Sequence, residues 1–168
     1  GLNNNDIIRF DGINDFLEIT DNSSIEFGND MTVFLLAKQE NLQTNQTLIS
    51  KWDYNSQGGF VLQTDAFAND EFRFFVADSP SDVGLNRIYT TNADMSDADF
   101  SILQGSYDGT LSSNKLTLHK NGSLINHVEE GTISSGLQNN SATLKIGKFG
   151  GSLGRYYGGD VAEIIIYD

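Results

Sequence analysis

Apolar and polar positions alternate in short runs along the whole chain, and most runs stop at Gly, Asn or Asp. A period of two puts successive side chains on opposite faces of a strand, so these runs read as strands with one face buried. They predict strands over Asp6–Phe10, Phe16–Ile19, Thr47–Ser50, Phe60–Gln63, Phe72–Val76, Ile88–Thr91, Phe100–Tyr107, Leu116–His119, Leu124–Val128 and Thr143–Ile146. Met31–Ala37 is denser and reads as a strand buried on both faces. Among Phe72, Phe74 and Phe75, alternation sends at least one ring into the core. The last run, Val161–Tyr167, is the most apolar, and an unpaired strand of that kind invites aggregation. It is expected to dock inside a sheet beside the first strand. Asp108-Gly109 and Asn121-Gly122 are hairpin dipeptides, and Asn92–Asp97 reads as one helical turn. About a dozen short strands with frequent turns predict an all-β, two-sheet antiparallel sandwich.

Several runs carry a resemblance. Phe10-Asp11-Gly12-Ile13-Asn14-Asp15-Phe16-Leu17-Glu18-Ile19 opens the chain, and Gly158-Gly159-Asp160-Val161-Ala162-Glu163-Ile164-Ile165-Ile166-Tyr167-Asp168 ends it. Between them come Leu48-Ile49-Ser50-Lys51-Trp52-Asp53, Gly58-Gly59-Phe60-Val61-Leu62, Ser106-Tyr107-Asp108-Gly109 and Leu118-His119-Lys120-Asn121-Gly122-Ser123-Leu124. In that order the set resembles the concanavalin A-like lectin/glucanase superfamily, and within it the bacterial laminin-G-like (LamG) domains. The resemblance implies a jelly-roll sandwich over residues 1–168 as a single domain, with 1–5 a linker remnant. It does not fix a function, because one fold hosts many sites.

The totals narrow the partners. A chain of 168 residues suits one hydrophobic core. It has no Cys, so no disulfide constrains it or identifies its compartment. The formal charge of −13 disfavours nucleic acid and anionic membranes, both of which need Lys or Arg to displace counterions. No apolar run approaches the roughly 20 residues of a membrane helix. The same charge favours a neutral polysaccharide over a polyanion.

Three chemistries bear on the site. Glucanases of the superfamily carry Glu-x-Asp-x-x-Glu on a central strand, and retaining hydrolysis needs two carboxyls about 5 Å apart. That run is absent, Glu129 and Glu130 are adjacent, and Asp160 and Glu163 fall on opposite faces of an ideal strand. His119 and His127 lie in the two arms of the Asn121-Gly122 hairpin, without a Ser or Cys nucleophile signature. The domain therefore reads as non-catalytic. Glycan recognition needs aromatic faces beside polar groups. Trp52, the one tryptophan, sits among Lys51, Asp53 and Tyr54 before a polar turn, where it either caps the edge of the core or, as the glycan reading expects, is exposed. Tyr156 and Tyr157 form a second platform, with one ring packed inward. Finally, domains resembling this one often hold a structural Ca²⁺ where the terminal strands meet. Asp11, Asn14 and Asp15 offer the oxygens that calcium takes, joined by Asp160 if the last strand pairs with the first. The same residues also suit a turn bonded to its own backbone.

The sequence thus predicts a monomeric, non-catalytic carbohydrate-binding module with a structural Ca²⁺, part of a larger secreted or surface protein such as a polysaccharide-degrading enzyme. The alternatives are an adhesion or spacer module that binds protein, and a glycoside hydrolase or lyase with an unrecognised site.

Overall fold

The alternation becomes two antiparallel sheets. The computed structural model describes residues 6–40, 45–53, 57–65, 71–77, 86–90, 99–137, 139–151 and 153–168. One sheet holds β1 (Ile8–Asp11), β3 (Asp30–Gln39), β8 (Ser101–Asp108), β9 (Leu116–Lys120), β10 (Ser123–Leu124) and β13 (Gly158–Tyr167), in the order β1-β13-β3-β8-β9-β10. The other holds β2 (Leu17–Ile19), β4 (Gln46–Asp53), β5 (Gln57–Asp65), β6 (Glu71–Ala77), β7 (Arg87–Thr90), β11 (His127–Glu130) and β12 (Leu144–Ile146), in the order β11-β7-β6-β5-β4-β12-β2. The sheets face each other as a jelly-roll sandwich. Among the described residues the one helical element is a 3₁₀ turn at Ser23–Ile25, capped by the Asn22 side chain, which accepts from the Ser24 N–H at 3.0 Å. The helical turn expected at Asn92–Asp97 lies outside the described residues.

The terminal strands pair as expected. Ile8 stands opposite Val161 and Asp11 opposite Gly158, while the far edge of β13 runs along β3. A β-bulge between Val161 and Glu163 has a consequence that residue counting misses. Asp160 pairs with Lys38 and Glu163 with Leu36, two positions on the same face of β3. The extra residue, Ala162, therefore brings Asp160 and Glu163 to one face, where an ideal strand separates them.

The core lies between the sheets, with Leu35 and Leu103 from one meeting Leu62, Phe72 and Phe74 from the other. Gly105 sets the spacing. A Cβ there would stand 3.1 Å from both Leu62 and Phe74, so the absent side chain admits two large ones. The β9–β10 hairpin turns at Asn121 and Gly122, with φ of 52° and 78°. Positive φ at both central residues is what that dipeptide supplies. The expected strand Leu124–Val128 is instead two. After Leu124 the chain leaves β9, and β11 joins β7 of the other sheet, with His127 opposite Thr90. His119 and His127 thus belong to different sheets, not to two arms of one hairpin.

Candidate ligand-binding face

The outer face of the seven-stranded sheet is built by register. One row of cross-strand neighbours runs Glu130, Arg87, Phe75, Val61, Ser50, Lys145, Glu18, one residue from each strand. The next runs Val128, Tyr89, Arg73, Gln63, Thr47. The sequence of β6, Glu-Phe-Arg-Phe-Phe-Val-Ala, places Phe72, Phe74 and Val76 inward and Glu71, Arg73, Phe75 and Ala77 outward.

The polar groups of this face are paired with one another. The Arg73 guanidinium lies between Asp65, at 2.7 Å, and Glu71, and it also donates to Asn45 Oδ1 at 3.2 Å. Arg73, Asp65 and Glu71 are 9%, 6% and 6% exposed. Gln63 donates to the same Asn45 oxygen at 3.3 Å, and Arg155 Nη1 lies 3.5 Å from Gln63 Oε1. Arg87 is held by Glu130 at 2.7 Å, with its guanidinium 5.2 Å from the Tyr89 ring centre and 5.5 Å from that of Phe75. Buried charges of this kind persist only when paired and hydrogen-bonded.

Beside the polar rows, Trp52, Val61, Phe75, Ala77 and Phe149 form a second apolar cluster outside the main core. The glycine-rich segment after β12 folds down over it. Gly147 N–H donates to Leu48 O, and Ser50 Oγ donates to Lys148 O, both at 2.9 Å. At Gly150 a Cβ would stand 1.7 Å from Trp52 O, so only glycine admits this approach. Phe149 thereby packs on Trp52 with ring centres 6.3 Å apart, and Arg155 lies over Phe149 at 4.9 Å.

This packing corrects the expectation that Trp52 is exposed. It is 5% exposed, and its Nε1 is buried without a hydrogen-bond partner among the described residues. Lys51 is buried as well. Its ammonium is held by Asp21 at 2.9 Å, Glu26 at 3.1 Å and the Asn140 carbonyl at 2.7 Å. The hydrogen bond from Lys51 holds Asp21 below its ordinary range, whereas burial first, and then the Asp21 contact, push Glu26 up. The side chain of Asp53 and all of Tyr54 lie outside the described residues. Of the tyrosine pair, Tyr157 packs inward as expected, edge-on to Phe10, and burial raises its phenol far above the ordinary value. Tyr156 remains half-buried and meets Phe16 at 6.4 Å, forming an open aromatic corner with Lys145 and Lys148.

Of the expected calcium ligands, Asp11, Asn14 and Asp15 share one turn, and Asp160 lies on the strand paired with β1, engaged by an arginine. Arg9 stands opposite Asp160 in register and takes both its oxygens, at 2.8 and 2.9 Å. Asp11 instead caps its own turn, accepting from the N–H groups of Ile13, Asn14 and Asp15. These bonds, that from Asn14 first, hold its carboxyl below the ordinary value. Asn14 and Asp15 are exposed in that turn. Among the described residues no three His, Cys, Asp or Glu side chains are grouped to hold a metal ion.

Sequence reasoning missed Phe16, Arg73, Arg87, Lys145 and Lys148. Their signal is pairing register, which no single run reveals.

No protein-family model matches the chain, and no curated protein matches its sequence. Solved structures do match in fold. The chain is similar to the Ruminococcus gnavus IT-sialidase CBM40 bound to α2,3 sialyllactose, with a TM-score of 0.66 and 13% identity, over 96% of this chain and 90% of that one. It is similar to the SAP-like pentraxin from Limulus polyphemus, with a TM-score of 0.63 and 12% identity, over 95% and 74% of the two chains. It is also similar to domains LG4-5 of the mouse laminin α1 chain, with a TM-score of 0.63 and 16% identity, over 94% and 41%. The fold is therefore a jelly-roll β-sandwich.

Proposed function

We propose that the domain is a non-catalytic, laminin-G-like carbohydrate-binding module that presents the β2–β12 margin of the outer face of its seven-stranded sheet to a glycan, as one part of a larger secreted or surface protein. The observation that carries this reading is the composition of that margin. The exposed Phe16 and half-buried Tyr156 rings stand beside Lys145 and Lys148, as sugar C–H faces and hydroxyls require, while the central β5 and β6 rows are buried and paired internally. The likeness in fold to a module bound to sialyllactose supports the class of ligand.

The geometry also favours binding over hydrolysis. Asp65 and Glu71 face each other across β5 and β6, one arrangement that resembles a two-carboxylate site. Both are buried and engaged by Arg73, so neither carboxylate is open to a substrate.

Affinity electrophoresis and calorimetry across soluble glucans, galactans, polyuronates, sulfated galactans and sialyllactose test the reading. Tyr156→Ala should weaken the best ligand about tenfold to a hundredfold, the loss of one stacked aromatic by analogy with base stacking. Trp52→Ala should lower the melting temperature instead, because its ring is buried. No binding across the panel would hand the domain to the protein-binding or spacer reading, and release of reducing ends would make it an enzyme.

A further inference from the structure

We infer that the corner formed by Phe16, Lys145, Lys148 and Tyr156 is an anion-reading subsite that takes the carboxylate or sulfate of an acidic sugar residue. This rests on the glycan-binding reading above and names the ligand class within it.

The corner is fixed by backbone pairing. Glu18 stands opposite Lys145, which brings β2 and the preceding Phe16 beside β12. Lys148 bridges to Tyr156, and the Tyr157 N–H donates to Gly147 O at 2.9 Å, so the segment after β12 doubles back as a short ladder. The Lys148 ammonium then sits 4.4 Å from the Phe16 ring centre and 5.1 Å from that of Tyr156. Lys145 Nζ lies 6.0 Å from Phe16 and 3.5 Å from Glu18, a loose pair.

Lys148 differs from the buried cations nearby. Lys51 and Arg73 are each caged by carboxylates and amide oxygens. Among the described residues the Lys148 ammonium has ring faces for neighbours and neither a hydrogen bond nor an ion pair. Ring faces attract a cation but offer its N–H groups no lone pairs. Three donors therefore remain for an acceptor arriving from solvent, and an anionic acceptor forms the stronger, charge-assisted bond. The rings beside it supply an apolar wall for the sugar body, and Phe16 is 38% exposed.

The total charge does not oppose such a ligand at this position. Among the described residues the outer face of this sheet and its covering segment carry Arg73, Arg87, Lys145, Lys148 and Arg155, five of the ten Lys and Arg of the chain. The acidic residues placed with them are Glu18, Asp65, Glu71 and Glu130, four of 23. Among the described residues the cations of this face therefore outnumber its carboxylates by one, and physiological salt screens exposed charges beyond about 8 Å. A ligand at the corner meets Lys145 and Lys148, of which only Lys145 has a carboxylate beside it, that of Glu18.

The test compares each acidic glycan with its neutralised twin: a sulfated galactan with its desulfated form, and a polyuronate with its carboxyl-reduced form. Wild type should prefer the acidic member of at least one pair by tenfold or more, the scale of a charge-assisted hydrogen bond; the pair that responds tells sulfate from carboxylate. Lys148→Met, which keeps the apolar stem, should lose that preference while still binding the neutral twin, and Lys148→Arg should keep it. Equal melting of the three proteins separates affinity from folding. Preference for a neutral chain, or an acidic preference untouched in Lys148→Met, overturns the subsite and leaves the module reading intact. Binding to no glycan at all overturns both.

Discussion

Two inner strands, one from each sheet, each carry two charges but bury them differently. In β3, Asp-Met-Thr-Val-Phe-Leu-Leu-Ala-Lys-Gln, only the inward residues are buried, while Thr32, Phe34, Leu36 and Lys38 are half-buried on the outer face. In β6, Glu-Phe-Arg-Phe-Phe-Val-Ala, every residue is buried, the two charged ones included. Outside β3 lies a plain apolar stripe, with Phe34 edge-on to Tyr167 at 6.2 Å and Ile102 and Ile165 exposed nearby. Outside β6 lies a paired network of guanidinium and carboxylates. Apolar content does not measure burial, since a sandwich always leaves apolar area in water. A buried charged network is the more informative observation, because each charge in it has to be matched.

Breaking that network should have the largest effect. Arg73→Met keeps much of the side-chain volume but strands Asp65 and Glu71 at 6% exposure. Removing one partner of a buried ion pair costs about 3–5 kcal/mol. Arg87→Met, on the same face, should cost about 1 kcal/mol or less, because Glu130 is half open to water. Urea unfolding of the two variants checks the contrast, and equal losses would mean that the β6 network is not buried in solution.

The phenylalanines sharpen the comparison at a smaller scale. Phe75 on β6 and Phe34 on β3 both point away from the main core, but Phe75 is 7% exposed in the cluster with Trp52 and Phe149. Phe75→Ala should destabilise by about 3 kcal/mol, the low end for a buried ring. Phe34→Ala should cost about 1 kcal/mol, since its ring already meets water on one side. At this size each kcal/mol moves the melting temperature by about 2–4 °C, so thermal scans resolve the two.

How much of this the sequence reveals depends on range. Asn121-Gly122 dictates a turn because the dipeptide tolerates positive φ at both positions, and the apolar Val161–Tyr167 run demands partners on both edges. Those constraints are local, and the two-sheet sandwich follows from them. The binding face is not local. Trp52 is followed by a polar turn and looks exposed from its neighbours in sequence, yet Phe149, nearly a hundred positions on, covers it. The bulge at Ala162 reverses a facing rule that holds only for ideal strands. Lys148 and Phe16 meet because β2 and β12 pair, and neither run names the other. Side-chain chemistry is legible residue by residue, whereas the site is a property of register.

The smallest expected effect lies at the β1 end of the six-stranded sheet, where a carboxylate is satisfied without burial. Asp11 is exposed and accepts three backbone N–H groups of its own turn, which holds its pKa below the ordinary value of 3.8. A lowered folded-state pKa contributes stability that is present above the ordinary value and is lost as pH falls through the folded one. Wild type should therefore exceed Asp11→Asn in melting temperature near neutrality by a small margin, since Asn keeps an acceptor oxygen but not the charge. The margin should shrink as pH falls from about 5 towards 2. Asp21 and Asp108 are also lowered and Glu26 raised, but all three titrate in both proteins and cancel in the difference. A margin that stays constant through that range would mean that the charge on Asp11 does not matter and that its turn is held by geometry alone. A shrinking margin would set the exposed turn against the Arg73 network. In the turn, water stands ready to replace each lost bond; beneath the β6 face, nothing does.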